Sequence, residues 1–218
     1  MAESKNPTIA PYAGTGEVKL RVTASLPEGE DAEALLQPAI KKILAAAGDY
    51  CYGIDVPDLQ TAVVQSLRQK GLTVASAESC TGGLVAARLT EVPGASAVFG
   101  CGIVSYNNTV KAEVLGVDPA IIEQHTAVSA ETAAAMAEAV RKKSGADIGI
   151  GVTGNAGPSA SEGQPVGLVF VAVASEKYSH VSHLFIDRHD ADARNLIRHF
   201  AALKALSLIL RAAGYYKE

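Results

Sequence analysis

Apolar and polar positions divide the chain into two stretches with different patterning. From Val18 to Ala24, Val18, Leu20, Val22 and Ala24 alternate with Lys19, Arg21 and Thr23, the period of a strand with one buried face. The preceding Asn6 to Gly16 is rich in Pro, Gly and Ala and reads as an irregular lead-in. Ala32 to Ala47 reads as a helix ending before Gly48, with Pro38 either near its start or at a kink. Asp49 to Ile54, containing Tyr50, Cys51 and Tyr52, reads as a second strand, so residues 1–55 form a small β-α-β module.

From Val56 the pattern changes. Pro57 stands as a first helical residue, and Leu59, Val63, Val64 and Leu67 make an apolar stripe ending at Gly71. Leu72–Ala75 is a short apolar strand, and Leu84–Leu89 opens a helix. Ala97–Tyr106 is a strand, followed by short helices over Asn108–Leu115 and Pro119–Gln124. Ala130–Lys143 is a helix capped by Ser129 and stopped at Gly145. Asp147–Val152 is a strand, and Thr153–Gln164 is a Gly/Ser-rich loop. Gly167–Ala174 and Tyr178–Ile186 are strands joined at Glu176-Lys177, and Asp190 caps a last helix to about Ala213. Helices alternating with strands, then two neighbouring strands, predict an α/β fold: a three-layer α/β/α domain on a mixed sheet over residues 56–218.

Composition narrows the class. The 218 residues are 48% apolar and 19% charged, an ordinary globular balance. A net charge of −4 argues against a nucleic-acid binder that works by phosphate neutralisation. No apolar run approaches the roughly 20 residues of a membrane span, and Met1–Tyr12 lacks a signal peptide's apolar stretch. Three cysteines, Cys51, Cys80 and Cys101, form no C-x-x-C pair, so neither disulfide stapling nor a cysteine zinc site is expected. The expected location is cytoplasmic.

Two strand-to-glycine junctions carry the candidate chemistry. Ser79-Cys80-Thr81-Gly82-Gly83 leaves a buried strand for a helix, which brings side chains and free N–H groups to the carboxyl edge of the sheet. Ser79 is a candidate nucleophile, with amides near Thr81–Gly83 for an oxyanion or a phosphate. The plain alternative is that Ser79 or Thr81 caps the helix and the glycines turn the chain. A serine needs a base, and the five histidines (His125, His180, His183, His189, His199) show no distinguishing spacing. Lys111 is the other candidate, because it follows Tyr106-Asn107-Asn108 into a helix start whose dipole disfavours an ammonium. The second junction, Gly151 to Pro158, offers backbone donors suited to a phosphate or ribose. With parallel strands both junctions share one sheet edge and one pocket.

Ala77-Glu78-Ser79-Cys80-Thr81-Gly82-Gly83, Tyr106-Asn107-Asn108-Thr109-Val110-Lys111 and Thr153-Gly154-Asn155-Ala156-Gly157-Pro158 with Pro165-Val166-Gly167 together resemble the C-terminal domain of the CinA family, the nicotinamide mononucleotide deamidase. The resemblance spans about Val56 to Ala213, and residues 1–55 resemble the KH-like segment that precedes this domain. The family's usual leading molybdopterin-binding-like domain is absent from this sequence. The resemblance implies a serine–lysine amidohydrolase needing neither metal nor cofactor, with a small nucleotide as substrate and a homodimer as its state. Ser79, Lys111 and Tyr106 fall on catalytic positions, and Thr81, Gly82, Gly83, Asn108, Thr153, Gly154, Gly157 and Arg194 on substrate-binding ones. Ser159–Gln164 departs from the family's longer, glycine-rich loop. The alternative for this pocket is therefore a catalytically weak nucleotide-binding or regulatory module. A nucleic-acid role for the first segment is disfavoured, because Gly14-Thr15-Gly16-Glu17 does not supply a GXXG clamp.

Overall fold

The computed structural model describes residues 5–214. The chain divides between Ile54 and Asp55 into two compact units. In the first, β1 (Thr8–Ala13) and β2 (Val18–Thr23) pair antiparallel in register from Thr8↔Thr23 to Ala13↔Val18. Asn6 closes the open end of the hairpin, its side chain donating to Ser25 O at 2.8 Å and accepting from Ser25 N at 3.0 Å. Helix α1 (Ala32–Ala47) follows, capped by the Asp31 carboxylate and running through Pro38. The order is thus β-β-α and not the expected β-α-β. The lead-in holds a strand despite Pro11, which a two-stranded hairpin tolerates because each strand has one unpaired edge. Asp49–Ile54 finds no strand partner and instead begins as a single 3-10 turn, Gly48–Tyr50.

The second unit begins with α2 (Leu59–Lys70), whose N-cap Asp58 accepts from Thr61 N at 2.9 Å through its carboxylate, so Pro57 lies outside the helix. Then come β3 (Val74–Glu78), α3 (Leu84–Thr90), β4 (Phe99–Val104) and a π-helical turn over Val110–Leu115. Next are α4 (Pro119–His125), α5 (Ala130–Ser144), β5 (Ile148–Gly154), β6 (Leu168–Ser175), β7 (Ser179–Phe185) and α6 (Ala193–Ala212). Ser129 and Gly145 bound α5 as expected. The last helix starts later than expected: Asp190 braces the preceding turn by accepting from Asp192 N, and Asp192 holds the cap position.

The sheet order is β4-β3-β5-β6-β7, with β3 parallel to both neighbours and β6 and β7 antiparallel. This is the mixed sheet expected, with helices on both faces. Every residue of β3 is buried. Ala75 and Ala77 meet Met136 and Val140 of α5 on one face, while α6 packs on β5 and β6 together with α2 and α3 on the other. Glycine decides how closely α5 approaches. A Cβ on Gly149 would lie 2.0 Å from Ala137 O, and one on Gly151 2.2 Å from Ala133 O. The small faces Gly149/Gly151 and Ala133/Ala137 therefore press backbone against backbone directly behind the end of β5. The carboxyl ends of β3, β4 and β5 lie side by side, and the candidate residues follow from them.

Candidate active site

Ser79 is the first residue past β3. Its N–H donates to Val152 O on β5 at 2.9 Å, so it keeps sheet register while its side chain reaches the edge. Gly82 (φ 59) and Gly83 (φ 92) then turn the chain through left-handed backbone that a side chain would strain. Their amides are committed within the turn, Gly82 N–H to Ser79 O and Gly83 N–H to the Glu78 carboxylate. The anion-holding role expected of these two amides is therefore not open to them. Glu78, 1% exposed, also accepts from Val85 N, Ala86 N and Ser76 Oγ, so the protein's own carboxylate fills the start of α3. Cys80 N–H and Thr81 N–H donate to no oxygen among the described residues and face the Cys80 sulfur.

Lys111 comes from the neighbouring strand's end. Asn107 opens the helical turn by accepting from Val110 N through its side chain and from Lys111 N through its carbonyl. The turn continues as a π-helix, a form that recurs at functional sites. Lys111 is 1% exposed, and its Nζ donates to Ser79 Oγ at 3.3 Å, Ser105 O at 3.0 Å and Tyr106 O at 3.4 Å. Ser105 N in turn donates to Glu78 O, so the two strand ends are joined through backbone as well. Burial pushes the Lys111 amine below its ordinary value, against the opposing pull of the Glu162 charge. Loss of water, more than the helix start expected from sequence, drives this shift. Burial pushes the Cys80 thiol up to about 12, so the residue beside Ser79 stays protonated.

The other candidates separate into two groups. Tyr106 is 60% exposed, and its hydroxyl accepts from Arg194 Nη2 at 3.2 Å. Arg194 Nη1 donates to Gly157 O, so one guanidinium spans the loops after β4 and β5. Thr153 is buried and donates its hydroxyl to Ala127 O at 2.6 Å, which bolts β5 to the start of α5. Gly154 has Leu168 O and Val169 where a Cβ would be, a packing reason for glycine. Asn108 Nδ2 reaches Glu162 Oε1 at 3.4 Å. Sequence reading missed Arg198, one turn beyond Arg194 on α6, which donates to Thr81 O at 2.9 Å. Neither arginine has an ion-pair partner among the described residues, and the four-residue spacing was the available signal.

The loop after β5 is more ordered than a flexible connector. Ser161 and Gln164 form an antiparallel bridge around Glu162 (φ 53) and Gly163 (φ 74), with Gln164 N donating to Ser161 O at 2.9 Å. Asn155 braces its base, donating to Gln164 O and accepting from Gly157 N. Among the described residues no cluster of three or more His, Cys, Asp or Glu side chains is arranged for a metal ion, and no helix is long and apolar enough to cross a membrane.

Comparison with known proteins follows the same division. Residues 57–213 match the CinA C-terminal domain, and residues 1–53 match the damage-inducible protein CinA KH domain. A putative competence-damage inducible protein of Caldanaerobacter subterraneus subsp. tengcongensis is 42% identical over 97% of this chain and 50% of its own length. A CinA-like protein of Desulfovibrio desulfuricans is 47% identical over 80% of this chain and 41% of its own length. The chain thus spans about half the length of the curated relatives it matches. Among solved structures, the competence/damage inducible protein CihA from Agrobacterium tumefaciens is 35% identical, covering 74% of this chain and 98% of its own with a TM-score of 0.65. A CinA superfamily protein from Klebsiella pneumoniae 700603 is 28% identical, covering 72% of this chain and 97% of its own with a TM-score of 0.67.

Proposed function

Because the chain belongs to the CinA family, we propose that it hydrolyses the carboxamide of nicotinamide mononucleotide to nicotinate mononucleotide and ammonia, with Ser79 as nucleophile and Lys111 as base. The observation that carries this reading is the 3.3 Å contact between Lys111 Nζ and Ser79 Oγ inside the protein, where burial favours the neutral amine. A neutral lysine takes the serine proton as Oγ attacks the carboxamide carbon. The oxyanion that develops meets the Cys80 and Thr81 amides, which donate to no protein oxygen. The lysine proton passes to the departing nitrogen, which leaves as ammonia, and an ester on Ser79 remains. Water attacks that ester with Lys111 again as base, releasing the carboxylate and restoring the hydroxyl. Tyr106 at the mouth offers a ring face to the substrate, and Arg194 and Arg198 offer positive charge to its phosphate.

Ammonia release from nicotinamide mononucleotide tests the reading directly. Ser79→Ala and Lys111→Ala should each lower kcat by about a thousandfold or more, and the double variant should lose little beyond that, because the pair acts as a unit. Calorimetric binding of the nucleotide should survive in Ser79→Ala. Near wild-type turnover in either single variant sinks the mechanism. A wild-type protein that binds the nucleotide without releasing ammonia favours the regulatory reading suggested by the altered Ser159–Gln164 loop.

A further inference from the structure

The hairpin at Ser161–Gln164 takes no part in the reaction steps above, yet it is built around a constrained acid. Glu162 holds left-handed backbone, which a non-glycine residue adopts only under strain. Two contacts from other elements fix its carboxylate there: Ala127 N–H donates to Oε2 at 2.8 Å and Asn108 Nδ2 to Oε1 at 3.4 Å. Ala127 is also the residue whose carbonyl receives the Thr153 hydroxyl, and Asn108 lies one helical turn before Lys111. The carboxylate of this exposed residue is thus held from two sides, by the residue that receives the Thr153 hydroxyl and by one on the turn that carries Lys111. Both its partners are neutral, and no lysine, arginine or histidine pairs with it among the described residues. Its charge still reaches the site, since it favours the charged form of Lys111.

We propose that Glu162 is a specificity residue that selects carboxamides carried on a cationic ring, its uncompensated carboxylate being the charge that a pyridinium meets beside Ser79 and Lys111. The inference rests on the amidase reading and sharpens its substrate class. A nicotinamide ring bonded through nitrogen to ribose carries a permanent positive charge, whereas an ordinary aromatic carboxamide carries none. The same carboxylate that draws the cationic ring in repels the carboxylate formed on that ring after hydrolysis, which favours product release. Neutral carboxamides gain nothing from it.

Glu162→Gln keeps an oxygen for the Ala127 N–H and removes the charge, so the hairpin is preserved. Two nucleotides separate charge from shape: nicotinamide mononucleotide, and benzamide riboside 5′-phosphate, whose neutral phenyl ring bears the same carboxamide, ribose and phosphate. In Glu162→Gln the KM for the cationic nucleotide should rise about tenfold, the scale of one partly screened charge, while the inhibition constant of the benzamide nucleotide stays near its wild-type value. Glu162→Lys should raise the KM for the cationic nucleotide further. Equal weakening of both nucleotides, or an unchanged KM for the cationic one, overturns the proposal. If wild-type protein releases no ammonia, the amidase reading falls, and calorimetric affinities still decide this one. A wild-type preference for the cation that Glu162→Gln abolishes supports it, and equal wild-type affinities overturn it.

Discussion

Lys111 makes its polar contacts with one hydroxyl and two backbone carbonyls, in a place that water does not reach. Its folded pKa therefore lies below its unfolded value of about 10.4. Between those two values the unfolded chain binds the extra proton, so stability rises as pH climbs toward 10.4 and falls as pH drops through the window. Lys111→Met should lack that slope. Calorimetric melting from neutral pH to about pH 10 measures it, and parallel slopes in the two proteins would refute the burial. Cys80 answers a different question. With its thiol protonated up to about 12, Cys80→Ala should retain most of the ammonia-releasing activity that Ser79→Ala loses. An equal loss in both would make the thiol the nucleophile. Ser79 and Lys111 were legible as candidates because one directly follows a strand and the other opens the helical turn beyond the next strand. Arg198 and Glu162 were not, since their partners lie on turns that only the folded chain brings near them.

At the scale of elements, the glycines of β5 and the alanines of α5 behave as one part. Gly151→Ala would drive a methyl group to 2.2 Å from Ala133 O, and backbone on both sides leaves it nowhere to go. A loss of about 2 kcal/mol or more is expected in denaturant unfolding, with turnover falling as well because β5 carries the acceptor for Ser79 N–H. Unchanged stability would mean that α5 sits farther from the sheet. Sequence patterning located most strands of the larger unit, where alternation or continuous apolar runs are pronounced. It failed on β1, whose proline and short alternation look like loop until the hairpin partner supplies hydrogen bonds. It also placed a strand at Asp49–Ile54, where β-favouring tyrosines outweighed the lack of any neighbour to pair with.

Across the whole molecule, the small first unit is poorly sealed. Helix α1 has no buried residue, and Tyr12, Val18 and Leu20 are exposed on the hairpin. A homodimer remains our proposal, for it would cover such surface. Multi-angle light scattering at micromolar concentration should return twice the chain mass, and monomer mass alone would refute it. The larger unit delivers its chemistry in a fixed order along the chain. Ser79 and Lys111 emerge early, just past β3 and after β4, while Arg194 and Arg198 arrive on α6, the helix that also places Ile197, Ala201, Leu206 and Ile209 in the core. During synthesis at about 5–20 residues per second, the segment from Lys111 to Arg198 takes on the order of several seconds to appear. Through that interval the nascent polypeptide possesses a hydroxyl and an amine but not the cations that would retain a nucleotide. With Arg194 and Arg198 holding the phosphate as proposed, ligand affinity would be coupled to completion of the core.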